Sequence, residues 1–108
     1  MQAEGHDLLE IRMVYMPEKR LESVGDLAKC INVEYAWLSH NFLANIQALS
    51  PLIYLRVLDV SHNSLLHLPD EWFWKEMASL QIFYAHHNRF DIQNHRTRLD
   101  SRFTISAA

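Results

Sequence analysis

LRVLDVSHNSL, residues 55 to 65, is the stretch whose spacing decides the fold. Counted from Asn63, apolar residues stand eight before (Leu55), five before (Leu58), three before (Val60) and two after (Leu65), the pattern LxxLxLxxNxL. Moved back to Asn41, the frame meets Val33, Ala36, Leu38 and Leu43; moved forward to Asn88, it meets Leu80, Phe83, Ala85 and Phe90. Asn41 and Asn63 are 22 residues apart, Asn63 and Asn88 25 apart. Another 22 residues back, Lys19 replaces the asparagine while Ile11, Val14, Met16 and Leu21 keep the four apolar slots. The second half of the unit repeats as well: Val24, Leu27 and Cys30 in one, Ile46, Leu49 and Leu52 in the next. Self-similarity at this period means stacked, equivalent units that share one interior.

Each slot has a physical cause. The LxL pair points inward from a short strand, because alternate strand residues face the same side. The chain then turns away sharply, leaving backbone donors and acceptors that no ladder of strands satisfies. An asparagine amide offers both a donor and an acceptor, so stacked asparagines at 41, 63 and 88 can serve their own and neighbouring units. Removing one, as in Asn63→Ala, is expected to cost about 1 to 3 kcal/mol for the groups left unpaired.

The third unit is longer by three residues, and its LPDEWFWKEMASL segment predicts a helix: Asp70 caps, Glu71 opens the first turn, and Phe73, Met77 and Leu80 recur at helical spacing. Segments such as NIQALSPL, interrupted by Pro51, predict loops or single 3₁₀ turns. The expected organisation is an N-terminal segment 1–10, a repeat domain 11–90 and a polar C-terminal tail 91–108. Within the domain a degenerate cap coil, 11–32, precedes coils 33–54, 55–79 and 80 onward. The frame decays after Phe90, so the edge carrying Phe83 and Ala85 is expected to lie open.

Composition narrows the function classes. The 108 residues suffice for one small domain; 49% are apolar and 21% charged, which reads as globular. A net charge of −3, with the basic cluster Arg96, Arg98 and Arg102 confined to the expected tail, argues against nucleic acid. No run approaches a membrane span, and MQAEGHDLLEI lacks the basic flank and apolar run of a secretory signal. The single cysteine, Cys30, forms no internal disulfide and reads as a small buried hydrophobe among Leu27, Ile31 and Val33. The expected compartment is cytoplasmic.

Residues 11 to 90 resemble a leucine-rich-repeat domain of the 22-residue intracellular class, on the strength of LESVGDLAKCINVEYAWLSHNFLANIQALSPLIYLRVLDVSHNSLLHLP. With LPDEWFWKEMASLQIFYAHHNRF added, they resemble the N-terminal repeats of leucine-rich-repeat proteins that also carry IQ motifs. The resemblance implies an α/β fold: a short right-handed solenoid with a parallel concave sheet, and loops, 3₁₀ turns and one helix on the convex side. It also implies a binding module, with cytoskeletal or ciliary scaffolds as its setting. DIQNHRTRLDSR opens on Ile92 and Gln93 but lacks the central Arg-Gly of an IQ motif, so calmodulin binding is not implied.

His40, His62 and His87 each stand one place before an asparagine. Strands about 4.8 Å apart would set them in a column, whereas a metal needs ligands converging at about 2 Å. No metal site and no cofactor are expected. Ser61, His62 and Asp59 do not make a catalytic set, since neighbouring strand residues face opposite ways. With only Gly5 and Gly25 there is no phosphate-cradling loop, so no enzyme and no small-molecule substrate are expected.

Between the core slots, strand residues point to the concave side: Met13, Tyr15 and Pro17, then Tyr35, Trp37 and Ser39, then Val57, Asp59 and Ser61, then Ile82, Tyr84 and His86. Tyr15, Tyr35, Trp37, Val57, Asp59, Ile82, Tyr84 and His86 are the expected partner-binding residues, with Trp37 central and Asp59 the polar contact. Tyr and Trp are typical interface anchors. A protein partner is expected. Two other readings use the same residues: a regulatory subunit seated on an enzyme such as a phosphatase, and a truncated repeat fragment with little function of its own.

Overall fold

The computed structural model describes residues 5–90 and 104–106. Strands β1 (Met13–Tyr15), β2 (Tyr35–Trp37), β3 (Val57–Asp59) and β4 (Ile82–Tyr84) pair in that order, all parallel. The central residue of each strand, Val14, Ala36, Leu58 and Phe83 in turn, is the inward one, and these four stand in register across the sheet. Pairing continues one residue past each strand: the Met16, Leu38 and Val60 amides donate to Trp37, Asp59 and Tyr84 carbonyls at 2.8 to 2.9 Å. The repeat frame therefore places equivalent residues side by side. A parallel sheet with few helices is the arrangement a leucine-rich-repeat solenoid requires.

Each chain return is short. Gly25–Lys29 and Gln47–Leu49 are 3₁₀ turns, and Gly25 opens the first of them at φ +54°, a backbone state that glycine adopts without strain. Helix α1 (Glu71–Glu76) takes up the longer return of the third coil. The Asp70 side chain accepts the Phe73 amide at 3.1 Å, and the Met77 amide closes the other end on Phe73 O. α1 is shorter than its 13-residue segment because the chain must descend to β4 within five residues of Met77.

Every frame position of the second and third coils is buried, as are Val24, Leu27, Cys30, Ile46, Leu49 and Leu52 on the return side. Ile11, Met16 and Leu21 of the first coil are only partly buried, because among the described residues β1 is the edge strand of the sheet. Trp74, which has no place in the frame, is buried against Phe73 and Phe83, with ring centroids 5.0 and 5.1 Å apart, and its indole N–H donates to Pro69 O. That bond anchors the start of the helical return.

The open edge expected beyond Phe83 and Ala85 is not what the structure has. Strand β5 (Thr104–Ser106), inside the stretch read as a polar tail, pairs parallel with β4 and sets Phe83 opposite Ile105. Phe83 and Ala85 are fully buried. Ile105 lies 22 residues after Phe83, the same step as Asn41 to Asn63, but the polar run before it hides the frame. The remaining residues of the expected tail, with the Arg96, Arg98 and Arg102 cluster and the DIQNHRTRLDSR stretch, lie outside the described residues, as do positions 1–4 of the N-terminal segment. Among the described residues no helix is long and apolar enough to cross a membrane.

Candidate functional site

The ends of the strands explain the repeated histidine–asparagine pairs. Glu18, His40, His62 and His87, each one place before the frame's asparagine position, all have φ between 53 and 57°. This left-handed turn swings the chain off the sheet, and among residues other than glycine it favours Asn, Asp and His. Histidine at this slot is thus a backbone choice. The Glu18, His40 and His62 amides donate to the carbonyls of Ser39, Ser61 and His86 in the next coil.

The asparagines that follow tie adjacent coils together. Asn41 donates to Met16, Leu38 and Ser39 carbonyls and accepts the Lys19 and Leu21 amides. Asn63 repeats this on Leu38, Val60 and Ser61 carbonyls and the Leu43 amide; Asn88 repeats it on Val60, Ala85 and His86 carbonyls and the Leu65 amide. Each asparagine serves its own coil and the one before. Among the described residues no strand pairs with β1 on its other side, so position 19 has no earlier described coil to serve, in keeping with Lys19 there.

The imidazoles stack. His62 lies between His40 and His87 at centroid distances of 4.2 and 4.3 Å, nearly parallel, and His86 meets His62 edge-on at 5.4 Å. Parallel rings send their nitrogen lone pairs out side by side, and among the described residues no group of three His, Cys, Asp or Glu is placed to hold a metal ion. Partial burial, then the charges of His40, His87 and His86, push His62 below the usual imidazole range; Asp59 opposes them. A histidine whose folded value is lowered stabilises the fold above its unfolded value near 6.5 and loses that contribution as pH falls through the folded value. The urea midpoint should therefore drop on acidification below about pH 6.5. The drop should be smaller in His62→Asn, which keeps a residue tolerant of the left-handed turn; equal drops in both proteins would refute the assignment.

On the opposite side from the core, the register sets Met13, Tyr35, Val57 and Ile82 in one row and Tyr15, Trp37, Asp59 and Tyr84 in a second. Met13 is 59% and Tyr15 71% exposed; the other six are half-buried. Tyr35 and Trp37 lie parallel at 6.0 Å, and Tyr15 meets Trp37 at 6.3 Å. His86 reaches Tyr84 edge-on at 6.4 Å, joining the histidine column to this face. Ser61, expected to point outward, is instead buried: its amide and hydroxyl both donate to Asp59 Oδ1, at 2.9 and 2.7 Å, folding the side chain back onto its own turn.

Sequence reasoning missed a groove of about 710 Å³ at the other ends of the strands, where Arg12, Glu34, Arg56 and Gln81 hold one position in successive coils. Glu34 pairs with Arg12 at 3.2 Å and Arg56 at 3.9 Å, so its carboxylate is shared between two guanidinium groups. Cys30 is fully buried, and desolvation, then the Asp26 charge, raise its thiol above the ordinary value. Such a thiol is a poor nucleophile.

The family model described as Leucine Rich Repeat matches residues 54–75, the strand and turn of the Asn63 coil and most of α1. Proteins named Leucine-rich repeat and IQ domain-containing protein 3 are 37% identical in Mus musculus, 36% in Rattus norvegicus and 34% in Homo sapiens, over 70 residues in each case. The aligned region is 65% of this chain and 11% of the length of each relative. Frame, in-register parallel strands, asparagine bonding and these similarities agree: the chain carries leucine-rich repeats and resembles leucine-rich-repeat proteins that carry IQ domains.

Proposed function

We propose that this chain is a non-catalytic interaction module that binds a protein partner on the outer face of its sheet, through Tyr15, Tyr35, Trp37, Val57, Asp59, Ile82, Tyr84 and His86. One observation carries the reading: two in-register rows of large side chains, most of them aromatic or aliphatic, reach solvent from a face the core does not use. Contiguous exposed apolar groups on a soluble protein mark interaction sites, and aromatic rings supply contact area at low conformational cost. Strands whose ends are tied to the neighbouring coil by asparagines form a rigid platform, so little order is lost on binding. The similarity to leucine-rich-repeat proteins with IQ domains supports an interaction module, and the setting proposed for it is a cytoskeletal or ciliary scaffold.

The test is capture of partners from lysate by the wild-type chain, Trp37→Ala and Tyr84→Ala. Truncating a central aromatic anchor removes about 2 kcal/mol or more of binding, so captured partners should fall at least about tenfold. Because both residues lie outside the core, the variants should keep the wild-type melting transition. An unchanged partner set in both would reject this face.

A further inference from the structure

Resting on the reading of this face as the binding surface, we infer that its partner presents an arginine side chain, received by Asp59 between Trp37 and Tyr84. The register sets these three residues abreast on neighbouring strands, with Asp59 in the middle. Strand spacing of about 4.8 Å sets the backbone positions of Trp37 and Tyr84 roughly 10 Å apart, room for a planar cation above the carboxylate.

The carboxylate is fixed in advance. Oδ1 accepts both the amide and the hydroxyl of Ser61, while among the described residues Oδ2 accepts no hydrogen bond and no lysine or arginine pairs with Asp59. Asp59 is the one formally charged residue in the two rows, so the centre of an aromatic face carries a lone, half-buried negative charge. A desolvated carboxylate without a counter-charge is costly, and an incoming cation would remove that cost on binding. Arginine suits the slot better than lysine: its guanidinium stacks on rings and forks onto a carboxylate. The same face already shows the first of these contacts, with Arg56 of this chain 6.0 Å from the centre of the Tyr35 ring. Anionic partners would meet Asp59 and a chain of net charge −3.

The probe is a random 12-residue peptide library displayed on phage, selected at pH 7.5 on the intact 108-residue chain. Selected peptides are then titrated against wild type, Asp59→Asn and Trp37→Ala. The side-chain carbonyl introduced by Asp59→Asn can still accept both Ser61 bonds, so the variant loses charge without losing the turn, as an unchanged melting curve would verify. Selected peptides should share an arginine among apolar residues. Changing that arginine to glutamine, or Asp59→Asn, should each weaken binding about 10- to 100-fold, and the two together scarcely further. Peptides lost on Trp37→Ala but lacking arginine, or indifferent to Asp59→Asn, overturn the inference and leave the binding face standing. Peptides indifferent to both variants, or a library from which nothing is enriched, overturn both.

Discussion

Alanine at position 63 should lower the chain's unfolding free energy by about 1 to 3 kcal/mol, a large part of the roughly 5 to 15 typical of a small domain. The structure shows where that cost arises. The Leu43 amide donates to Asn63 Oδ1 and would be left buried without an acceptor. The three carbonyls that Asn63 serves each keep a second donor: Leu38 O has Asn41 Nδ2, Val60 O has Asn88 Nδ2, and Ser61 O has the His40 amide. One orphaned donor, three weakened acceptors and a small void sum to more than one lost hydrogen bond and less than four. Asn63→Asp is the sharper comparison. It keeps an oxygen for Leu43 but sets a buried carboxylate against three carbonyl oxygens, so it should destabilise more than alanine despite matching asparagine in shape. Urea denaturation followed by circular dichroism ranks the three proteins; an aspartate variant as stable as wild type would contradict the ladder.

Phe83→Ala should cost about 3 to 5 kcal/mol, and Tyr84→Ala, one residue along the same strand, less than about 1. Phe83 is fully buried, stands in register between Leu58 and Ile105, and meets the Trp74 ring at 5.1 Å. Its removal opens a cavity where three coils join, and the β5 pairing gives that region little room to collapse. Tyr84 points to the other face, where its contacts are with His86 and solvent. Paired urea titrations with tryptophan fluorescence as a second probe should show the Phe83 variant unfolding far earlier, with Trp74 emission shifted toward that of exposed indole. Similar midpoints for the two variants would mean that the faces have been assigned wrongly.

The two substitutions mark what could be read in advance. Burial of Leu38, Leu58, Val60 and Phe83 followed from spacing, because a repeated unit puts equivalent residues at equivalent depth. The cap at Asp70 followed from one residue type before a helical spacing. By contrast, burial of Ser61 depended on a local bond to Asp59 that competes with the alternation of a strand. Trp74, outside the frame, went unassigned because its partners Pro69 and Phe83 meet only after the helix has packed. β5 was hidden because Arg102 stands where the frame, 22 residues after Leu80, expects an apolar residue, so Ile105 has no matching slot before it.

Of the candidate binding face, membership of the rows was legible, since it is the complement of the core pattern. The stacking of Tyr35 on Trp37, the column of His40, His62 and His87, and the one-sided bonding of Asp59 were not. What the amino-acid order determined alone is which residues face in, because the 22-residue period and the two-residue alternation are properties of a single chain. What the tertiary structure alone decided is the left-handed turn at each histidine, the closing strand and the shape of the outer face. These depend on groups more than twenty residues apart being brought within bonding or ring-contact distance, and no local pattern contains that information.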